Sequence, residues 1–409
     1  MRMAPDLGAT GDLSVCVVGL GYIGLPTASL LAIKGARVLG VDVSRAVVET
    51  INQGRIHIVE PDLDLMVRSA VQSGRLRAAG APEEADVFVI AVPTPIGDDK
   101  RPDLSMVEAA ARSIAPAVRA GNLVILESTS PVGTTEEVVA TILAQAGHDV
   151  GRDVLVAYCP ERVLPGRILT ELIENDRVVG GINEASAEAA TRFYQGFVRG
   201  EVVATSARAA EMVKLAENAF RDVNIAFANE LSMICARERI SVWEVIRLAN
   251  RHPRVSILQP GPGVGGHCIA VDPWFIVARD PSQARLIRAA REVNDRKPQW
   301  VVERVEACAA RVKQPVIACL GLAFKADVDD LRESPALWIV EELRRKGVGE
   351  LLVVEPHLTG HPELELVRAE EAIERANIVL VLVDHRAFKR IRRDSLDEKI
   401  LIDVRGLFL

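Results

Sequence analysis

The sequence has few cysteines, no cysteine pair with metal-ligand spacing and no excess of basic residues. Its six cysteines lie far apart among 409 residues, and none forms a C-x-x-C pair. This spacing argues against a structural zinc site and against a disulfide framework. The formal net charge is −7, from 49 Lys and Arg against 56 Asp and Glu, so the composition does not predict nucleic-acid binding.

The sequence also lacks long apolar runs. No run has membrane-spanning length, and residues 1–12 contain no apolar segment of the kind found in signal peptides. Together with the scattered cysteines, these absences predict a cytoplasmic protein with reduced thiols and no membrane partner. With 49% hydrophobic and 26% charged residues over 409 positions, we expect a globular chain of two or three domains.

A dinucleotide-binding fingerprint occupies the start of the chain. Residues 13–18 predict a buried parallel strand, GLGYIG follows at 19–24, and residues 25–34 have a helical pattern. In this G-x-G-x-x-G motif, the first glycine permits the tight turn, the second lets a pyrophosphate approach, and the third lets the helix pack on the strand. The cofactor-binding candidates in the motif are Gly19, Gly21, Tyr22, Ile23 and Gly24.

An acidic residue follows at the position that selects NAD. A second strand over residues 37–41 ends in Asp42, whose carboxylate can accept both ribose hydroxyl protons and repel a 2′-phosphate. Arg45 is the opposing signal, since an arginine here can meet a 2′-phosphate. We interpret Arg45 as solvated or as covering the adenine, so NAD is predicted over NADP.

Polar residues gather where three further predicted strands end. These strands cover residues 85–92, 123–127 and 154–158. Since ligands of open α/β sheets bind outside the carboxyl ends of the strands, Thr94 and Thr129 are candidates for cofactor binding. Turn formation or helix capping explains both threonines equally well. Glu161 is a candidate for handling a proton or holding a water.

A long helix is predicted in the middle of the chain. Residues 209–237 have a helical pattern without Gly or Pro, which suits a spine joining two domains or a dimer seam. Lys214, Asn218 and Arg221 are four and three residues apart, so they share one face of this helix. That face favours an anionic ligand.

Residues 261–272 contain a glycine-rich loop that ends at Cys268. Asp272 follows four residues after this cysteine. Glycines leave consecutive N–H groups able to hold an anion or oxyanion, and a thiolate beside them can attack a carbonyl carbon. The alternative is a flexible turn followed by a buried, inert cysteine. Cys16 and Cys319 lie in apolar, strand-like runs and are expected in the core.

A second α/β region closes the chain after a helical pattern at residues 284–310. Its strands are predicted within residues 315–325, 351–354, 378–383 and 400–404. Gly321 stands without the other fingerprint glycines, so this region should bind a nucleotide differently from the first or serve as scaffold.

The predicted fold class is α/β, with two Rossmann-like doubly wound domains joined by a long central helix and a helical linker region. We expect a NAD-binding Rossmann domain at residues 1–205, a central helical domain with the cysteine loop at 206–310 and a second Rossmann-like domain at 311–409. Lys325 and Arg332 flank three aspartates of the last domain, so they either pair locally or reach a phosphate or the cofactor.

These motifs resemble the nucleotide-sugar 6-dehydrogenases, the family that contains UDP-glucose and GDP-mannose dehydrogenases. The resemblance covers nearly the whole chain in the family's order and is highly specific. The motifs that carry it are residues 19–26, 127–134, 158–166, 214–218, 250–254, 261–272, 321–325 and 332–335.

The resemblance implies two successive oxidations at C6 of a UDP-sugar, from alcohol to carboxylate, with two NAD+. It also implies that the Rossmann-like domain at residues 311–409 binds the UDP-sugar. It implies that Cys268 forms a thiohemiacetal and then a thioester, and that Lys214 and Asn218 stabilise the oxyanion. Asp272 and Glu161 would assist hydrolysis, and the long helix would form a homodimer seam. The substrate-binding positions it implies are Arg162, Val163, Lys214, Asn218, Arg221, His252, Arg254, Gly263, Gly265, Phe324 and Lys325.

One position departs from the UDP-glucose branch, which has a second glutamate where this chain has Pro165. Residues 162–166 instead resemble the branch that takes N-acetylated sugars, so the expected substrate is UDP-N-acetyl-D-mannosamine. Its C2 epimer, UDP-N-acetyl-D-glucosamine, is an alternative, because no residue type reports the direction of one substituent. A one-step alcohol dehydrogenase, which would not need the thiol, is a further alternative. A non-catalytic nucleotide-sugar sensor is another, although the presence of the catalytic candidates Cys268, Lys214, Asn218 and Asp272 argues against it.

Overall fold

The computed structural model describes residues 7–8, 11, 13–58, 60–163, 166–266 and 268–408. The chain divides after Ala216 into an N-terminal unit and a C-terminal unit. No helix within the described ranges is long and apolar enough to cross a membrane. Pro165, the position that departs from the UDP-glucose branch, lies outside the described residues.

The N-terminal unit contains eight described strands. They are β1 Ser14–Val18, β2 Arg37–Val41, β3 Leu76–Ala79, β4 Val87–Ile90, β5 Leu123–Leu126, β6 Leu155–Tyr158, β7 Arg177–Gly181 and β8 Val202–Ser206. They form one sheet in the order β3-β2-β1-β4-β5-β6-β7-β8. All neighbouring strands are parallel except β6 and β7, which are antiparallel. The strand order reverses between β1 and β4, where open α/β sheets bind their ligands.

Helices cover both faces of this sheet. They are α1 Gly24–Ile33, α2 Arg45–Asn52, α3 Leu63–Gln72, α4 Ser105–Ile114, α5 Thr141–Gln145, α6 Ile168–Glu174 and α7 Glu184–Gln195, and a π-helical turn at Thr135–Ala140 precedes α5. Alternate residues of β1 enter two cores, with Val15 and Val17 on one side and Cys16 and Val18 on the other. A sheet buried on both faces explains why its strands are nearly continuous apolar runs.

Helix α8, Ala207–Glu238, has 32 residues and crosses the division between the units. The helices that follow it are α9 Val242–Ala249, α10 Asp272–Arg279, α11 Arg285–Ala309, α12 Pro335–Lys346 and α13 Ala369–Arg375, with 3₁₀ turns at Arg386–Arg390 and Arg393–Leu396.

The C-terminal unit contains a second, smaller parallel sheet. Its strands are β9 Val316–Leu320, β10 Glu350–Val354, β11 Ile378–Val381 and β12 Ile400–Asp403, in the order β10-β9-β11-β12. Alternate side chains of β9 again belong to two separate hydrophobic cores. Ile317 and Cys319 pack on one face of the sheet, and Ala318 and Leu320 pack on the other. This unit is therefore doubly wound as well.

Within the C-terminal unit, α8 buries polar side chains and exposes apolar ones. Asp222 and Asn229 are fully buried, whereas Phe220, Phe227 and Ile234 are 69%, 56% and 50% exposed. The exposed residues recur every seven positions, so they form one stripe along the helix. Surface helices usually turn their apolar stripe toward the core. The packing of a single chain therefore leaves the outward-facing apolar stripe of α8 unexplained.

The predicted fold class is confirmed, and so is the burial of Cys16 and Cys319. The sequence interpretation missed β3, β7 and β8. Two residues of β3 are buried, β7 ends in a Gly-Gly pair and most of β8 is exposed, so none has a long apolar run. The three predicted domain boundaries remain a prediction.

Candidate functional site

The fingerprint glycines of the N-terminal unit have the stereochemistry that a pyrophosphate-binding turn requires. Gly19 has φ +93°, and a Cβ built there would lie 2.6 Å from the Ala91 carbonyl oxygen. A Cβ at Gly24 would lie 1.8 Å from the Gly19 carbonyl oxygen, so a side chain would prevent α1 from packing. At Gly21 a Cβ would meet none of the described atoms within 4 Å, which leaves the approach to the N-terminus of α1 open. These residues fit a dinucleotide.

Asp42 lies directly after β2 and is half-buried. One carboxylate oxygen accepts the Leu20 N–H at 3.1 Å, and the other accepts the Ser44 N–H at 2.8 Å. The carboxylate therefore closes the fingerprint turn in addition to any bond with a ribose. Arg45, the opposing signal, is exposed and pairs with Glu49 at 2.7 Å, which fits the interpretation of Arg45 as a solvated residue.

The two threonines at the strand ends lie together. The Thr94 hydroxyl donates to the Thr129 carbonyl oxygen, joining the segments after β4 and β5. This bond fits the turn-forming interpretation of Thr94, and cofactor binding by both threonines remains a prediction. Tyr22 and Ile23 are half-buried beside the fingerprint turn, and Ile23 is the N-cap of α1 without a side-chain cap.

Glu161 belongs to a buried charged cluster that the sequence interpretation missed. Its carboxylate accepts a bond from the Arg177 guanidinium at 2.7 Å, and both side chains are at most 5% exposed. Glu127, at the end of the neighbouring strand β5, accepts the Tyr194 hydroxyl at 2.6 Å. Burial and then repulsion by Glu161 raise the pKa of Glu127 to about 7. The two carboxyl groups have different partners, because the Arg177 guanidinium bonds to Glu161 and the Tyr194 hydroxyl bonds to Glu127.

Cys268 differs from the other cysteines in its exposure. It is exposed, Cys308 is half-buried, and the remaining four are buried. Burial raises the pKa of the Cys16, Cys159 and Cys319 thiols to about 12, so those thiols stay protonated and inert. The exposed thiol is the one suited to nucleophilic chemistry.

The glycine loop before Cys268 packs closely against other parts of the C-terminal unit. Gly266 has φ +83°, a backbone conformation that favours glycine. A Cβ at Gly265 would lie 2.4 Å from the Glu333 carbonyl oxygen and 3.0 Å from Phe324 Cβ, while one at Gly263 would lie 3.0 Å from Pro298. The structure thus brings together two predicted substrate-binding positions, Gly265 and Phe324.

Asp272 lies at the start of α10 and is 3% exposed. Its backbone N–H donates to the Cys268 carbonyl oxygen at 2.8 Å, so a single turn joins the thiol and the carboxylate. The Asn218 side-chain amide donates to the Asp272 carboxylate at 2.5 Å. Lys214 lies one helical turn before Asn218 and is also buried.

The remaining predicted site residues are exposed, make hydrogen bonds with protein groups, or pack against the core. Arg221, His252, Arg254 and Lys325 are exposed. Arg332 makes a two-point ion pair with Asp330, which is the predicted local pairing. The remaining two are Arg162, whose guanidinium donates to the Asp176 carbonyl oxygen, and Val163, which packs against the core.

The C-terminal sheet repeats the first turn of the N-terminal sheet. Gly321 has φ +96° and donates to the Val354 carbonyl oxygen at 2.8 Å, as Gly19 donates to the Val41 carbonyl oxygen at the same distance. Glu355 takes the position of Asp42 and accepts the Leu322 N–H at 2.7 Å. The sequence interpretation missed Glu355, although an acid directly after the second strand of this unit was the available signal.

Glu355 is buried and also receives a bond from His385. His385 lies near His357 and Asp327, a grouping with the donor types of a metal site. However, Nδ1 of His385 accepts the Asp327 N–H at 2.9 Å, so its proton is on Nε2, which faces Glu355 at 3.2 Å. Because both ring nitrogens are used, the hydrogen bonds argue against a metal ligand at His385.

Three domain models of one family match the chain. The NAD binding domain of the UDP-glucose/GDP-mannose dehydrogenase family matches residues 13–198, its central domain matches residues 208–296, and its UDP binding domain matches residues 318–408. The chain belongs to the UDP-glucose/GDP-mannose dehydrogenase family. The family resemblance predicted from the motifs is confirmed.

Similar proteins narrow the class further. The chain is 59% identical to the NDP-N-acetyl-D-galactosaminuronic acid dehydrogenase of Ralstonia nicotianae, over 97% of this chain and 96% of that protein. It is 55% identical to the UDP-N-acetyl-D-mannosamine dehydrogenase of Escherichia coli, over 97% and 99% of the two chains. A UDP-N-acetyl-mannosamine dehydrogenase structure from S. aureus superposes with a TM-score of 0.88, at 44% identity over 96% and 95%. The chain is thus an NAD-dependent enzyme that oxidises a UDP-sugar, and the predicted cofactor is confirmed.

Proposed function

We propose that the enzyme oxidises C6 of UDP-N-acetyl-D-mannosamine to the carboxylate through a thioester on Cys268. The observation that carries this proposal is the exposed thiol on the turn that also holds the Asn218–Asp272 bond. Bound NAD+ supplies the acceptor for each of two hydrides. Gly19, Gly21 and Gly24 would hold its pyrophosphate at α1.

The thiol lets one site carry out both oxidations. After the alcohol has lost its first hydride, the Cys268 thiolate adds to the aldehyde carbon and gives a thiohemiacetal. Loss of the second hydride gives a thioester, which water cleaves to the carboxylate and the regenerated thiol. The sum is one alcohol, one water and two NAD+ converted to one carboxylate, two NADH and three protons.

Asp272 is the carboxylate that we propose to orient the hydrolytic water. It belongs to the same turn as Cys268, and the Asn218 amide holds one of its carboxylate oxygens. Lys214 and Asn218 supply positive charge and an amide donor for the oxyanion, as the family resemblance implies. Glu161, bonded to Arg177, is proposed as a second group that assists hydrolysis.

The sugar is proposed from two supports. The sequence at residues 162–166 resembles the branch that takes N-acetylated sugars, and both curated relatives are named for N-acetylated sugars or their acids. The Ralstonia relative favours a second candidate, a galacto-configured N-acetyl sugar. The gluco epimer is the third.

The test is the NADH released from limiting UDP-sugar. We expect two equivalents of NADH per molecule of UDP-N-acetyl-D-mannosamine. With the gluco and galacto sugars we expect an initial rate of NADH release less than about a tenth of the rate with the manno sugar. Two equivalents from another epimer would keep the chemistry and change the substrate. One equivalent from any sugar would contradict the thioester route, and none from all three would return the sensor to consideration.

We also propose that the chain forms a homodimer through α8. The support is the apolar stripe of Phe220, Phe227 and Ile234, whose seven-residue spacing suits packing against another helix. An exposed apolar stripe of this kind marks an interaction surface.

Phe227→Lys is expected to shift the protein from a dimer to a monomer at micromolar concentration, because it puts a charge in the centre of the stripe. Sedimentation equilibrium measures the mass. Leu65→Lys is the matched control, since Leu65 is 60% exposed on α3 and lies outside the stripe. A wild-type protein that is monomeric at this concentration would refute the dimer.

A further inference from the structure

Both ends of the cysteine loop are held by the same helix. At the front end, the Gly261 N–H donates to the Asn229 side-chain oxygen at 2.9 Å. At the back end, Asp272 receives the Asn218 amide. Asn218 and Asn229 are eleven residues apart, about three turns of helix, so they lie on one side of α8.

Asn229 is fixed by a chain of buried hydrogen bonds. Its amide nitrogen donates to Asn294 at 2.9 Å, and Asn294 donates to the Asp222 carboxylate at 2.8 Å. Arg291 donates to the same Asp222 oxygen at 2.5 Å. All four side chains are at most 1% exposed. The Asn229 side-chain oxygen must accept from Gly261, and its nitrogen must donate to the Asn294 oxygen. Turning the amide over would place its nitrogen against the Gly261 N–H, so only one orientation satisfies both bonds.

We propose that Asn229 is a positioning residue that sets the place of the Cys268 thiol by holding the backbone at Gly261. The inference rests on the proposed function of Cys268. Between the two residues, the chain passes through Gly263 and Gly266 in conformations fixed by close packing against Pro298 and Phe324. Since both glycines are closely packed, we expect a shift at Gly261 to carry along the described part of the loop towards Cys268.

The loss of Asn229 would act on geometry and not on substrate affinity. Asn229 is fully buried, and its side-chain hydrogen bonds within the described part of the chain go to Gly261 and Asn294. The side chain is therefore not accessible to a sugar. Removing it leaves the Gly261 N–H buried without its acceptor, and the loop must move to satisfy it. A displacement of about 1 Å at a reacting group can cost about a hundredfold in rate.

The test compares Asn229→Ala with Asn229→Asp and with Asn224→Ala. The aspartate variant keeps an acceptor for Gly261. Asn224 is the matched control because it lies on the same helix and donates to the Phe220 carbonyl oxygen, away from the loop. Steady-state kinetics, the rate of Cys268 alkylation by iodoacetamide, and hydrogen exchange at residues 261–266 are measured for each.

For Asn229→Ala we expect kcat to fall about a hundredfold with KM unchanged within about twofold. Exchange at Gly261 should rise and Cys268 alkylation should change at least about threefold. Asn229→Asp keeps the acceptor for Gly261 but loses the donor to Asn294, so we expect it to recover only part of kcat. Asn224→Ala should match the wild type. A kcat within about twofold of wild type in Asn229→Ala, or hydrogen exchange at Gly261 as slow as in the wild type, would overturn the proposal. If the thioester route itself is wrong, the exchange and alkylation results still decide whether Asn229 holds the loop.

Discussion

Replacing Cys268 by serine is expected to abolish sugar-acid formation while leaving UDP-sugar binding nearly intact. A serine hydroxyl is not ionised near neutral pH, so it does not add to the aldehyde and no thioester forms. The rate of acid production should fall at least about a thousandfold, because removal of a covalent nucleophile removes a whole reaction path. Acid is measured by chromatography, and binding by calorimetry.

The reaction should stop after the first hydride transfer, with at most one NADH per sugar. Cys308→Ser is the matched control, since Cys308 is also outside the buried group of cysteines but lies on α11. Full acid production by the Cys268 variant would refute the thioester mechanism and leave Cys268 as an exposed thiol without a role.

Replacing Glu127 by glutamine is expected to change how the stability of the N-terminal unit depends on pH. Burial raises the pKa of Glu127 from 4.5 to about 7. The folded protein therefore binds a proton more tightly than the unfolded chain, and the resulting stability is lost as pH rises between these values. From pH 5 to pH 8 the wild type should lose about 2–3 kcal/mol more of its unfolding free energy than the variant.

The two units can be followed separately in urea unfolding. All three tyrosines lie in the N-terminal unit and all four tryptophans lie in the C-terminal unit. The tyrosine transition should show the pH effect and the tryptophan transition should not. Glu188→Gln, at an exposed position of α7, is the control. Parallel pH curves for wild type and Glu127→Gln would show that Glu127 is ionised when folded at pH 5.

The parts of the site that sequence could predict are those with a local steric or electronic requirement. Gly19 and Gly24 are required by contacts with Ala91 and with the turn itself, so their spacing appears in the sequence. Asp42 follows its strand for a similar reason, and Cys268 follows its own glycine loop. Each of these features can be recognised within a stretch of about 30 residues.

The parts that sequence could not predict depend on contacts between distant residues. Glu127 and Tyr194 are separated by 67 positions and Asn229 and Asn294 by 65, and no local pattern indicates such pairs. The faces of α8 illustrate the same difficulty. Periodicity reveals a polar and an apolar stripe, but only the fold shows that the polar stripe is the buried one.

The length of helix α8 between Asn218 and Asn229 sets the distance between the two points at which the loop is held. These two asparagines make the hydrogen bonds at the ends of the loop. They are eleven residues apart in the helix, or about 16 Å along its axis. One residue inserted between them would add about 1.5 Å to this separation and turn one asparagine by about 100°. The same insertion after Asn229 would leave the spacing unchanged. The length of this helical segment is therefore as fixed by the chemistry as the cysteine itself, even though most of its residues never meet the substrate.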